Sequence, residues 1–393
     1  MPLKATLYYG DIAITFDTFQ KFFEMTDTIK SAIGATQFSK LASEEAWIGA
    51  TRISAIRTQY WQGRHPELPE LIWATQYHQV RDPIIKINAL VGLLTAEDQN
   101  HLWYCLNKQS STIEKFKAVT VWIVRKYNSL DVFSYASCRR WKMGQRPADC
   151  TSWVPNFGLE GRSIEPLIRG VFGPKGCEDL YNAGGREAGS FSVSEDDSYL
   201  TVSGIRVDHV LMVEDTFTGQ ESNLQLLNFF NRATQKGLGK KPIPSQSTLG
   251  VFWRTLHLDQ KSGRRLQNDD EHLVDFHPDN DKDGRVWFQK DGLFDLQYCK
   301  GRCLLISKEG YLCLGPVEVK AGDLIAVMLG GKVPYLLRES GGKFELVGEW
   351  YVASEQPHLN LRNKLTPSQL CAWNHGWRSH GRPPGGKIYN SRI

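Results

Sequence analysis

Apolar residues recur at helical spacing through the first third of the chain and at strand spacing near its end, so the two regions predict different architectures. Leu7 to Tyr9, a turn at Gly10-Asp11 and Ile12 to Phe16 predict a hairpin or two short strands. Asp17 then caps a helix through about Ala32, with Phe19, Phe22, Phe23 and Ile29 near helical spacing. Ser43 caps a second helix whose first turn holds Glu44 and Glu45, where carboxylates suit the helix dipole. Gly49, Ile53, Ile56 and Tyr60 form its packing face. Leu68 to Tyr77 predicts a third helix, Ile84 to Val91 a fourth and Ile113 to Tyr127 a fifth. Asp82-Pro83 opens the fourth as a cap and first-turn pair, and Gly92 is placed just past its end as a C′ residue.

The pattern changes after Leu130. Thr151 to Pro155 reads as a short extended piece. Tyr199 to Val213 predicts strands with a break at Gly204, Glu221 to Thr234 a helix, and Thr248 to Leu256 another with Phe252, Trp253 and Leu256 inward. Asp259 to Lys290 is charged and loop-like. From Leu296 to Val352, apolar runs of four to eight residues alternate with Gly-containing turns, which predicts a meander of short antiparallel strands. The runs are Cys303 to Ser307, Tyr311 to Leu314, Leu324 to Leu329, Tyr335 to Arg338, Phe344 to Val347 and Glu349 to Val352. The expected fold class is α+β: a helical N-terminal region followed by a mixed region ending in an antiparallel β meander. The expected divisions are 1–135 helical, 136–295 mixed with loops, 296–355 meander, and 356–393 a basic, disordered tail.

Composition narrows the function classes. The chain has 393 residues with 41% hydrophobic content and 12 Trp, which excludes a disordered protein. No run of about 18 apolar residues occurs, so no transmembrane helix is expected. The start, MPLKATLYYGD, lacks the apolar core of a signal peptide. The cysteines (Cys105, Cys138, Cys150, Cys177, Cys299, Cys303, Cys313, Cys371) form no CxxC pair, so reduced thiols and a cytoplasmic location are expected. After Glu355 the chain has no acidic residue but six basic ones: Arg362, Lys364, Arg378, Arg382, Lys387 and Arg392. This tail and the loop Arg139 to Arg146 are the possible nucleic-acid contacts, although a solvated end is the simpler reading.

No catalytic constellation emerges, and no cofactor or metal is expected. Asp279-Asn280-Asp281-Lys282-Asp283-Gly284 matches the opening of an EF-hand loop, with apolar Val286 in place. However, Lys290 stands where the bidentate carboxylate belongs, and a cation there repels calcium. Cys299, Cys303 and Cys313 have the wrong spacing for a zinc knuckle and read as small buried hydrophobes. Gly330-Gly331-Lys332 lacks P-loop spacing, and Asp208 and His209, as neighbours on a strand, face opposite ways.

Three stretches, in order, resemble the fungal heterokaryon incompatibility (HET) proteins. Asp82-Pro83-Ile84-Ile85-Lys86-Ile87-Asn88-Ala89-Leu90-Val91-Gly92-Leu93 is similar to the family's D-P-R-D-K-x-Y-A-L-L-G-L. Ser152-Trp153-Val154-Pro155-Asn156-Phe157 is similar to S-W-V-P-D-W. Gly322-Asp323, Pro334 through Arg338, and Gly348-Glu349 followed by Tyr351-Val352 resemble the G-D … P-x-x-L-R … G-E-x-Y-V series. Ile84, Ile85 and Asn88 depart from the first motif and Phe157 from the second. The family's Y-x-x-L-S-Y-x-W-G and D-x-x-C-I-N-Q motifs do not occur here.

The resemblance implies the back part of such a protein, from a truncated gene model, a shortened isoform or a decayed paralogue. It implies a non-catalytic regulatory or recognition region in non-self recognition and programmed cell death, with a protein partner and no membrane. It also implies a competing reading, an NAD or nucleotide hydrolase, because the family's N-terminal core resembles TIR-type domains; the basic tail and the loop Arg139 to Arg146 leave a nucleic-acid binder as a third. The motif positions Asp82, Pro83, Lys86, Gly92, Ser152, Trp153, Pro155, Gly322, Asp323, Pro334, Arg338, Gly348, Glu349 and Tyr351 are expected to serve turns and packing.

Overall fold

A computed structural model of the chain describes residues 6–9, 11–15, 17–18, 21, 25, 44–75, 78, 80, 82–107, 110–138, 150–158, 181, 183–184, 191–194, 199–219, 221, 223–236, 248–261, 264–265, 299–352 and 388–392. Most of the expected Asp17–Ala32 helix, the basic loop Arg139–Arg146 and the acidic loop Asp279–Lys290 lie outside these residues. The chain divides into two units: residues 1–122 with 157–163 and 171–175, and residues 123–156 with 164–170 and 176–393. The class is α+β, with helices first and a curled antiparallel sheet at the end.

In the first unit, strands β1 (Thr6–Tyr9) and β2 (Ile12–Thr15) pair as the expected hairpin. Helices α1 (Glu44–Trp61), α2 (Leu68–Ala74), α3 (Pro83–Val91) and α4 (Ala96–Leu106) follow, and α5 (Thr112–Tyr127) begins in this unit. Leu68, Leu71, Ile72, Ile87, Val91, Leu102 and Phe116 are buried. Periodicity does not predict α4, because its long exposed face leaves only Leu102 and Leu106 as fully buried apolar positions. Its cap was nonetheless written in the chain: the Thr95 hydroxyl accepts from the Asp98 N–H, and Glu97 and Asp98 occupy the first turn. Gly92 differs from expectation. It is the C-cap residue with φ −60°, so α3 ends without a left-handed turn.

In the second unit, α6 (Val132–Cys138), α7 (Asn223–Lys236) and α8 (Thr248–Leu256) accompany the sheet. The expected break at Gly204 does not exist. Leu200–Thr216 is a single strand, β4, preceded by β3 (Phe191–Val193). A Cβ on Gly204 would lie 2.7 Å from the Val327 carbonyl oxygen. The glycine therefore permits close strand approach instead of ending the strand. A small hairpin, β5 (Gln260–Lys261) with β6 (Arg264–Arg265), lies in the stretch read as loop.

The remaining strands are β7 (Arg302–Ser307), β8 (Leu312–Pro316), β9 (Leu324–Met328), β10 (Tyr335–Ser340), β11 (Lys343–Glu349), β12 (Tyr351–Val352) and β13 (Ile388–Arg392). Gly341 and Gly342, at φ 57° and 77°, form the two-residue turn between β10 and β11, as a primed hairpin turn requires. The order is β11-β10-β9-β4-β7-β8-β12, which corrects the simple meander: β9 does not pair with β8, and β4 stands between β9 and β7. The end strands β11 and β12 are separated in sequence only by Trp350. The sheet therefore bends onto itself, and β4, β7, β8, β12 with β11, β10 and β9 close a barrel. Val210, Cys303, Leu305, Cys313, Val319, Ile325, Leu336, Val347 and Trp350 fill its interior. The outward residues Leu304, Ile306, Leu312, Leu314 and Leu337 are also buried, with α6 packed on β11 and α8 on β8. Burial on both faces explains why these strands read as continuous apolar runs. Within the basic tail, Ile388–Arg392 pairs with β4.

Candidate functional site

The motif positions fall into separate places. Asp82 accepts the Ile84 N–H at 2.9 Å and Pro83 opens α3, as their order predicts. Lys86 is buried and donates Nζ to the His78 carbonyl at 3.2 Å. A Cβ on Gly158 would lie 2.2 Å from Pro83 Cβ, so the residue after the second motif must be glycine for this approach to the first. Phe157 meets Phe116 edge to face at 5.3 Å. In the second unit, the Ser152 hydroxyl accepts the Leu346 N–H of β11, while Trp153 and Pro155 are buried.

Charged groups concentrate around the barrel. Arg302 and Glu349, both almost wholly buried, pair at 2.8 Å between the start of β7 and the end of β11. Gly322 adopts φ +93°, placing Asp323 so that its carboxylate accepts the Lys320 N–H and two bonds from Arg338, at 2.9 and 2.8 Å. Those bonds push the Arg338 guanidinium above its ordinary value. Arg338 also donates to the Glu318 carbonyl, so one residue pair fixes the loop from β8 to β9. Arg254 and Asp259, both buried, form a third pair at 2.6 Å. Pro334 accepts the Trp350 N–H, and Tyr351 packs edge to face on Tyr181 at 5.7 Å. Gly348 lies beside the β-bulge at Val347, opposite Leu336.

The Gly330-Gly331-Lys332 turn has a role that spacing could not reveal. Its three carbonyls accept N–H groups from remote segments: Gly330 from Leu130 at 3.0 Å, Gly331 from Gly184 at 2.9 Å and Lys332 from Ala183 at 2.8 Å. A phosphate cradle presents N–H donors, whereas this turn presents acceptors that are already engaged. Lys332 Nζ lies 3.1 Å from Asp131, and the Tyr335 hydroxyl reaches Ser134 and the Leu130 carbonyl. Burial, with the Asp131 charge second, pushes the Tyr335 phenol well up. Sequence reasoning gave no structural role to Asp131, Ser134 or Arg302 and weighed Lys332 only against a phosphate-binding loop.

The other candidates read as structural. The Asp208 carboxylate accepts the N–H groups of His209 and Glu309, and His209 is exposed. Burial pushes the Cys313 thiol well up and Cys303 up, which makes them poor nucleophiles. Cys299 donates to the Leu256 carbonyl. Among the described residues, no three His, Cys, Asp or Glu side chains converge as metal ligands, and no helix is long and apolar enough to cross a membrane.

No curated protein matches the chain, and no solved structure matches it. Residues 279–354 match the family model of the Het-6 β-barrel domain. That stretch holds β7 through β12, while β4, which closes the ring, lies outside it. This stretch is therefore similar to the Het-6 β-barrel domain, a domain found in fungal heterokaryon incompatibility proteins.

Proposed function

We propose that this chain is a recognition or regulatory region of a heterokaryon incompatibility protein, contributing a protein-binding surface to non-self recognition and not chemistry. The domain match over 279–354 carries the reading. It is supported by how the barrel unit uses its ionisable groups. Glu349, Asp323, Asp259 and Asp208 each hold an arginine or backbone amides in place. A catalytic carboxylate needs access to a substrate and a protonation state poised near the working pH, and carboxylates committed to such bonds serve the fold instead. In this reading the motif positions serve turns and packing, and the cell-death signal requires a partner.

The test is expression in a fungal host, alone and fused to a related N-terminal core. The chain alone is expected to leave cells viable and the fusion to restore a partner-dependent response. Death caused by the isolated chain would overturn the reading. So would release of nicotinamide when purified protein is incubated with NAD.

A further inference from the structure

The barrel closes without β13. Its ring uses β4 from Gly204 onward against β9 and from Val210 onward against β7. The N-terminal part of β4 extends beyond the ring, and its two edges are covered differently. One edge is taken by β3 and β9, both joined to β4 by pairings independent of the tail. The other, at Thr201–Ile205, is paired by β13 alone among the described strands. The register is antiparallel, with Ile388 opposite Ile205, Asn390 opposite Ser203 and Arg392 opposite Thr201. Thr201, Ser203, Gly204 and Ile205 remain partly exposed with β13 in place, so it covers a rim and not a core.

The occupant also differs from the other barrel strands. β13 is reached only after residues 353–387, a stretch without Asp or Glu beyond Glu355 that ends in Pro383-Pro384-Gly385-Gly386-Lys387. Its sequence, IYNSR, is polar at three of five positions, unlike RCLLIS or LIAVM of β7 and β9. An open edge strand is a template for any extended chain, and proteins cover such edges. A tethered strand does so at an effective concentration on the order of millimolar, even when its pairing is weak.

We propose that the β4 edge at Thr201–Ile205 is a β-augmentation site held closed by the chain's own terminal strand, Ile388–Arg392, acting as a displaceable autoinhibitory segment. Main-chain hydrogen bonds supply the attachment, as in other strand-addition modes. This inference concerns the edge and stands whether or not the proposed function holds.

The test uses the full-length chain with Tyr389→Pro and Asn390→Pro together. Successive N–H groups of a strand point to opposite sides, so one of the two prolines removes a donor facing β4. A second variant, Tyr389→Gly with Asn390→Gly, weakens the strand without removing a donor. Hydrogen exchange at the β4 amides facing β13 is expected to accelerate at least tenfold in both variants, with β7 to β11 unchanged as the control for folding. A fluorescent peptide of residues 387–393 is expected to bind the proline variant at least tenfold more tightly than the unaltered chain, because the tether no longer competes. Unchanged exchange at Thr201–Ile205 would overturn the proposal. So would a peptide that binds neither chain, or both equally.

Discussion

In the first unit, the described contacts of two cations, Lys86 and Arg52, are to neutral groups. Lys86 donates to a backbone carbonyl, and Arg52 lies over the Trp73 ring at 3.5 Å and donates to the Trp73 carbonyl. Arg57 does meet a carboxylate, but Asp17 is largely exposed. In the barrel unit, Arg302 and Arg254 meet carboxylates as buried as themselves, and Arg338 meets a buried Asp323. A carbonyl or ring partner leaves one charge to desolvate, while a buried carboxylate adds a second. The second arrangement is sensitive to losing either member, because the remaining charge stays buried without its counter-ion. The Arg302–Glu349 pair also joins β7 to β11 across 47 residues of sequence, so it acts as a clamp on closure.

The sharpest way to break this contrast is at Arg302 and Glu349. Glu349→Ala is expected to destabilise the barrel by about 3–5 kcal/mol, read as the urea midpoint, whereas Arg302→Met with Glu349→Leu together should recover most of that loss. Equal loss in the single and double variants would show that packing, not charge, dominates there. Gly158→Ala comes next. Its methyl group would overlap Pro83 and is expected to cost about 1–3 kcal/mol in the first unit, followed by the same measurement. Lys86→Met sharpens the comparison directly. It removes a cation whose described bond is to a carbonyl, so about 1–2 kcal/mol is expected, clearly below Glu349→Ala.

The smallest effect is a pH dependence at His78. Burial lowers its pKa, the Lys86 charge adds to this, and a bond to the Thr75 backbone opposes it. The unfolded chain then binds the proton more readily than the folded one, so stability is lost as pH falls through the ordinary histidine value near 6.5. His78→Gln is expected to flatten the change in urea midpoint between about pH 7.5 and 5.5. A slope unchanged by the substitution would remove His78 as its source.

The first unit was largely legible because its signals are local. Asp82-Pro83 opens α3 as read, and Thr248–Leu256 in the second unit was placed to the residue. Leu68–Ala74 ends before the expected Tyr77, with Thr75 as its C-cap residue. The barrel strands were legible as strands, but their partners were not. The same apolar runs fit a meander or a ring, and only the distant β4 decides between them.

The sequence by itself determined where most of the described helices and barrel strands form and which turns carry glycine, since backbone propensity, capping and alternation act over a few residues. Tertiary structure alone decided that β4 completes the barrel, that Arg302 answers Glu349, and that Gly330, Gly331 and Lys332 receive three distant N–H groups. Those choices depend on satisfying buried polar groups after the chain has closed, and no local spacing encodes which remote partner will be there.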